Sequence, residues 1–216
     1  MAKFEIFQAF DWWMDYPERF SQFLNEIEKD ESIDIHVNSP GGDVFQGITL
    51  YNMVKEESEK RKVSVKVKGL AASIASIIPL AVKESTLEDG SMVMIHNPWA
   101  FTFGDASELR DQAEVLDKVK ASLVSIYNQS LSVGKKEISD LMNDETWFTV
   151  DEAQDKGFGM KKKTSKAQAG STKNYFESGK YSWIKKNPIK VFDLKDQKKT
   201  EFKNRCADIL KRFKRA

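Results

Sequence analysis

Two serines, Ser73 and Ser76, sit in the apolar run "VKGLAASIASIIPL" (67–80), which is entered through Gly69. A strand turning into a helix there would set Ser73 near the helix N-terminus. Unpaired N–H groups point outward at such an end, and the dipole favours negative charge. An oxyanion formed beside Ser73 would meet the N–H of Ile74 and of a nearby glycine; one such donor is worth about 3 kcal/mol of barrier in a measured protease. A serine hydroxyl also needs a base with a pKa near ~6.5 to take its proton. The chain has two histidines, His36 and His96. His96, in "SMVMIHNPW", sits at a strand end before Asn97-Pro98, whereas His36 lies within a strand pattern and reads as structural. A third group should orient the imidazole and stabilise its cation. Asp144 and Glu145, in "MNDETWFTVDEA", are the candidates. The competing reading is plain packing: Ala71, Ala72, Ser73, Ala75 and Ser76 small for a tight helix contact, His96 hydrogen-bonded in the fold, and the acids solvated.

The elements that must position these groups alternate. "KFEIFQAF" (3–10) has strand alternation, with Phe4 and Ile6 inward and Ala9 or Phe10 beyond them. Residues 17–30 place Phe20, Phe23, Leu24 and Ile27 at helical spacing, and 33–37 place Ile33, Ile35 and Val37 on one strand face. Residues 43–60 read as a helix through Val44, Ile48, Tyr51 and Val54. "KVSVKVKG" is a strand by period two and β-branching. "AASIASIIPLAV" reads as a short buried helix disturbed by Pro79, and "SMVMIHNPW" as a strand stopped by Pro98. Asp105 and Glu108 have capping-box spacing ahead of a long stripe, Leu109, Ala113, Leu116, Val119, Leu123 and Ile126. Residues 135–144 form a short helix; Thr149 and Glu152 repeat the capping spacing, and Gly157 is a helix stop. This order predicts an α/β fold with parallel strands and right-handed crossovers. Chemistry then belongs at the carboxyl ends of the strands. SPGG (39–42), GLAAS (69–73) and HNP (96–98) all fall there.

Composition narrows the class. The 216 residues are 40 % hydrophobic and 31 % charged, which is globular. No run approaches the ~18 apolar residues of a membrane span. "MAKFEIFQAF" lacks a basic region followed by an apolar core, so no secretory signal is expected. With a single cysteine, Cys206, a cytoplasmic location is expected. One cysteine and two histidines cannot fill a zinc shell, and neither metal nor cofactor is expected. The net charge of +1 conceals a division: residues 161–216 carry 18 Lys and Arg against 5 Asp and Glu, a net of +13, leaving −12 on 1–160. The reading is an acidic body, 1–160, followed over 161–216 by a basic linker and a basic amphipathic helix at 200–215. Docking on an acidic face is the expected role of this tail; nucleic acid and membrane are not expected partners.

"NSPGGDVFQGITLYN", "GLAASIAS", "MVMIHNPW" and "DETWFTVDEAQDKGFG" resemble, in order, the four signature blocks of the ClpP family of serine peptidases. The resemblance spans about residues 3–160 and is nearest in flavour to the shorter ClpP-like group of phage and prophage head modules. It implies a ClpP/crotonase-like fold of repeated β-β-α and βαβ units, a mostly parallel sheet and a protruding long helix at 105–131. It implies Ser73 as nucleophile, His96 as general base, and Gly42 and Ile74 as oxyanion donors with Gly41 adjoining. Glu145 falls where the family has Asp, with Asp144 one residue away, so either could complete the triad. Ser76 has no catalytic counterpart and is expected to pack. Hexameric or heptameric rings, stacked in pairs, are implied, acting on protein or peptide chains. The first strand begins almost at once, so docking to an AAA+ ATPase is not expected. Trimming of scaffold or capsid proteins, delivered by assembly itself, fits that expectation.

Three functions follow for comparison. The first is a self-compartmentalised serine endopeptidase. The second is acyl-CoA chemistry on the related crotonase fold, which needs no Ser/His pair. The third is a catalytically weak or inactive ring that binds an acidic partner through the tail. The separation of Ser73 from His96 distinguishes the first two.

Overall fold

A computed structural model describes residues 1–11 and 13–159. The basic linker and amphipathic helix expected over 161–216 lie outside the described residues.

Six strands form one mixed, mostly parallel sheet. They are β1 (Ala2–Ile6), β2 (Ile33–Ser39), β3 (Val63–Ala72), β4 (Glu84–Leu87), β5 (Met92–Ile95) and β6 (Thr146–Phe148). The order is β1-β2-β3-β5-β6, with β4 also paired to β3. The first five strands pair in parallel, and β6 runs antiparallel to β5. Period-two alternation divides the faces. Phe4, Ile6, Ile33, Ile35, Val37, Val63, Val65 and Val67 are buried on one side. Lys3, Glu5, Asp34, His36, Ser64 and Lys66 occupy the positions between them.

The helices are α1 (Tyr16–Glu26), α2 (Val44–Lys60), α3 (Ala106–Ser130), α4 (Lys135–Asn143) and α5 (Val150–Lys156). Both expected capping boxes form, Asp105 with Glu108 and Thr149 with Glu152, and Gly157 ends α5 with φ of 103°. The run after β3 is a 3-10 helix, Ser73–Ala81, with Pro79 inside it. Proline has no N–H to donate in either winding, so one bond of the ladder is missing at Pro79. Its residues from Ile74 to Ala81 are all buried, and α2 packs on it. A Cβ at Gly47 would lie 2.2 Å from Ile74 Cγ1, so a glycine is what lets α2 approach this closely.

The N-terminal strand and the long helix depart from the sequence reading. The N-terminal strand is shorter than 3–10: it stops at Ile6, and Phe10 makes an isolated bridge to Gly42 instead. The stripe on α3 is buried only in its second half. Leu123 is buried, whereas Leu109 stands 41 % exposed, and the neighbouring Val124 and Val115 differ in the same way, buried and 48 % exposed.

Candidate active site

β3 and β5 lie side by side, with Ala72 paired to Met94. Ser73 and His96 therefore leave neighbouring strand ends. His96 Nε2 is 2.8 Å from Ser73 Oγ, a full hydrogen bond. Ser73 reaches this position with φ of 54°, one of two non-glycine residues in the left-handed region among the described residues. The extended strand ends at Ala72, the helix begins at Ser73, and the sharp turn holds the hydroxyl clear of both.

The antiparallel register of β5 and β6 explains the third group. Val93 faces Phe148, Met94 faces Trp147 and Ile95 faces Thr146, so His96 and Glu145 are the residues next to the last pair, just beyond the end of the ladder. Glu145 is the other left-handed residue, with φ of 49°, on the turn between α4 and β6. Its Oε2 lies 3.8 Å from His96 Nδ1, within ion-pair range but longer than a hydrogen bond. The imidazole is nearly covered, with 11 % of its side chain exposed, and the carboxylate is 40 % exposed. Asp144 instead ends α4, its N–H donating to the carbonyl of Asp140, and its side chain makes no ion pair with His96.

The 39–42 loop closes the other side. Gly41 and Gly42 both have positive φ, 91° and 142°. A Cβ on Gly41 would lie 2.6 Å from Ser73 Cβ and 3.1 Å from the Ile74 nitrogen. On Gly42 it would lie 2.1 Å from the carbonyl oxygen of Phe10. No side chain fits at either place, and the loop backbone lies directly against Ser73 and Ile74. The bridge to Phe10 uses the Gly41 carbonyl and the Asp43 N–H, leaving the Gly42 N–H out of that pairing. Ile74 is the second residue of its helix, where N–H groups have no partner within the helix. The structure thus brings Ser73, His96, Glu145, Gly41, Gly42 and Ile74 to one corner. That arrangement can deprotonate a hydroxyl and hold a new oxyanion.

Contacts that sequence reasoning did not find brace this corner. The Asn97 N–H donates to the Met142 carbonyl (3.1 Å), and Asn97 Nδ2 donates to Asn143 Oδ1 (3.0 Å). Lys120 Nζ on α3 donates to the same oxygen at 2.6 Å. The chain after His96 is thereby tied to the turn before Glu145. Asn97 and Asn143 carried no local signal, since their partners are 46 positions apart. Ser76 is fully buried, as packing requires, but it is not merely small: its hydroxyl donates to the Ser73 carbonyl at 2.6 Å and meets Tyr127 Oη at 2.7 Å. His36 is held at 2.9 Å by Asp34, well away from this corner in the strand pattern. Among the described residues no group of three or more His, Cys, Asp or Glu could hold a metal ion, and no helix is long and apolar enough to cross a membrane.

Comparison with known proteins agrees with the fold. A ClpP1 point mutant from Listeria monocytogenes superposes with a TM-score of 0.62 at 25 % identity, covering 73 % of this chain and 88 % of that one. The proteolytic subunit of the ATP-dependent Clp protease from Bacteroides fragilis is 30 % identical over 138 residues, 62 % of this chain and 65 % of that protein. Proteolytic subunit 1 from Chlamydia abortus is 31 % identical over 125 residues, 56 % of this chain and 64 % of that protein. The chain thus spans a little under two thirds of the length of these curated relatives. The sequence model of the Clp protease family matches residues 20–161, more than half of the 216. The chain belongs to the Clp protease family.

Proposed function

We propose that the protein is a serine endopeptidase. The observation that carries this reading is the 2.8 Å contact between His96 Nε2 and the hydroxyl of a left-handed Ser73. His96 Nε2 takes the Ser73 proton as Oγ attacks the scissile carbonyl carbon. The resulting oxyanion is held by the N–H groups of Gly42 and Ile74. Collapse expels the amine, which receives the proton from His96, and an acyl-Ser73 ester remains. Water, deprotonated by the same imidazole, then releases the acid and restores Ser73. Glu145 favours the imidazolium that appears in both halves. Its carboxylate is well exposed and 3.8 Å away, so it supports the histidine less firmly than a buried, hydrogen-bonded acid would. The adjacency of Ser73 and His96 disfavours acyl-CoA chemistry, which has no use for the pair.

The substrate is an extended protein or peptide chain, and the working form is a ring of copies. The exposed Leu109 and Val115 in the first half of α3 support assembly. Trimming of scaffold or capsid proteins in a phage-type assembly is the role that the sequence resemblance supports. The test is hydrolysis of an unfolded protein substrate by wild type and Ser73→Ala. The substitution is expected to lower kcat by on the order of 10⁶, as for a serine peptidase nucleophile. Undiminished hydrolysis by Ser73→Ala would refute the reading, and no hydrolysis by assembled wild type would favour the scaffold alternative.

A further inference from the structure

The hydrogen bonds behind Ser73 have a direction. A carbonyl oxygen only accepts, so the Ser76 hydroxyl gives its hydrogen to Ser73 O at 2.6 Å. Ser76 Oγ is then left to accept, and the Tyr127 hydroxyl at 2.7 Å is the donor. Tyr127 lies on α3, 2 % exposed, and Ser76 is wholly buried. Burial pushes the Tyr127 hydroxyl up to about 12, so it keeps its hydrogen throughout the working pH range of a peptidase. The relay runs from α3, through Ser76, to the carbonyl of the residue whose side chain faces His96.

That carbonyl shares one rigid plane with the Ile74 N–H. In a trans peptide the C=O and N–H point in opposite directions, and rotating one rotates the other. An oxygen clamped from the buried side turns the N–H of Ile74 the other way. The Ile74 nitrogen does face the 41–42 loop: a Cβ on Gly41 would lie 3.1 Å from it. Ser73 needs such a clamp, because its φ of 54° is a conformation that non-glycine backbone leaves readily unless its surroundings fix it.

We infer that Ser76 and Tyr127 are positioning residues for the oxyanion corner: their hydroxyl relay fixes the Ser73–Ile74 peptide plane so that the Ile74 N–H is aimed at the oxygen that becomes negative. This rests on the peptidase reading above. Neither residue touches substrate. Their effect appears where charge develops and not in substrate binding, because the donor matters most in the transition state.

The test compares full-length, assembled wild type with Tyr127→Phe and Ser76→Ala. Tyr127→Phe removes one oxygen and keeps the ring. For each protein, kcat and KM are measured on a fluorogenic peptide, together with the inhibition constant of the matching peptide boronic acid, whose tetrahedral adduct occupies the oxyanion corner. Both variants should lose about ten- to a hundredfold in kcat, a fraction of what losing a whole donor costs, with KM changed less than about twofold. Boronate affinity should weaken by about the same factor as kcat. Unchanged kcat and boronate affinity, or a rise confined to KM, would overturn the inference. Should either variant fail to assemble, Ser76→Cys, close in size and a weaker donor, carries the same comparison. The two readings fail separately: wild type that forms no boronate adduct defeats the peptidase reading, whereas reactive wild type matched by equally reactive variants defeats only the relay.

Discussion

Ser73 holds a backbone conformation that costs a non-glycine residue roughly 1–2 kcal/mol. Glycine would hold it without strain, yet the position carries a hydroxyl directed at an imidazole. This suggests a local trade of stability for reactivity, and it can be measured. Ser73→Gly should be more stable than Ser73→Ala by about 1 kcal/mol in thermal or denaturant unfolding, since both lose the hydroxyl and only glycine relieves the strain. Equal stabilities would mean that the turn is not strained. Ser73 and His96 were legible in the sequence because both stand at strand ends beside glycine or proline, where side chains have room to converge. The acid was not. Asp144 and Glu145 are adjacent, and choosing between them needs the β5–β6 ladder register, which depends on a strand of only three residues. Ser76 was read as packing because an apolar run gives no sign of a tyrosine 51 positions away.

At the scale of elements, the long periodic segments were readable and the short ones were not. α2 covers Val44–Lys60 with Asp43 as its cap, close to the 43–60 expected from periodicity. β4, Glu84–Leu87, was missed: four residues bounded by charge show too little alternation to stand out. The central strands carry a polar device on the face away from the core. Asp34 is buried on β2 and accepts from Lys66 Nζ (2.7 Å), His36 Nε2 (2.9 Å) and Ser64 Oγ (2.8 Å). Burial pushes its carboxyl up, but these bonds outweigh burial and hold it below its ordinary value. A depressed folded-state pKa gives stability that is present above the unfolded value of 3.8 and lost as pH falls through the folded one. Wild type should therefore be more thermostable than Asp34→Asn near neutral pH, with the gap in Tm closing below about pH 4. A gap that stays constant down to about pH 2 would show that the carboxylate's charge contributes nothing.

For the whole molecule, the mostly parallel sheet followed from alternating strand and helix patterns, and the one antiparallel strand did not. The apolar stripe on α3 was legible as a stripe, but the sequence could not say what covers it. Within one chain the second half of α3 meets the 3-10 helix, and Leu109 and Val115 in the first half of α3 are exposed. Under the ring reading, other copies cover them. The double variant Leu109→Glu, Val115→Glu should shift native mass or sedimentation to smaller species while leaving far-ultraviolet dichroism unchanged, because neither side chain supports the body's own core. Retention of the wild-type assembly would place the contact elsewhere, and a monomeric wild type would remove the ring from the account.

The central claim is that Ser73 is the nucleophile, and site mapping of a covalent adduct tests it most directly. Assembled protein treated with a fluorophosphonate, digested and sequenced by mass spectrometry should carry the phosphonyl group on Ser73 alone. Labelling should be absent in Ser73→Ala and strongly reduced in His96→Ala. An adduct on another serine, or an intact assembly that stays unmodified with Ser73 and His96 in place, would contradict the account.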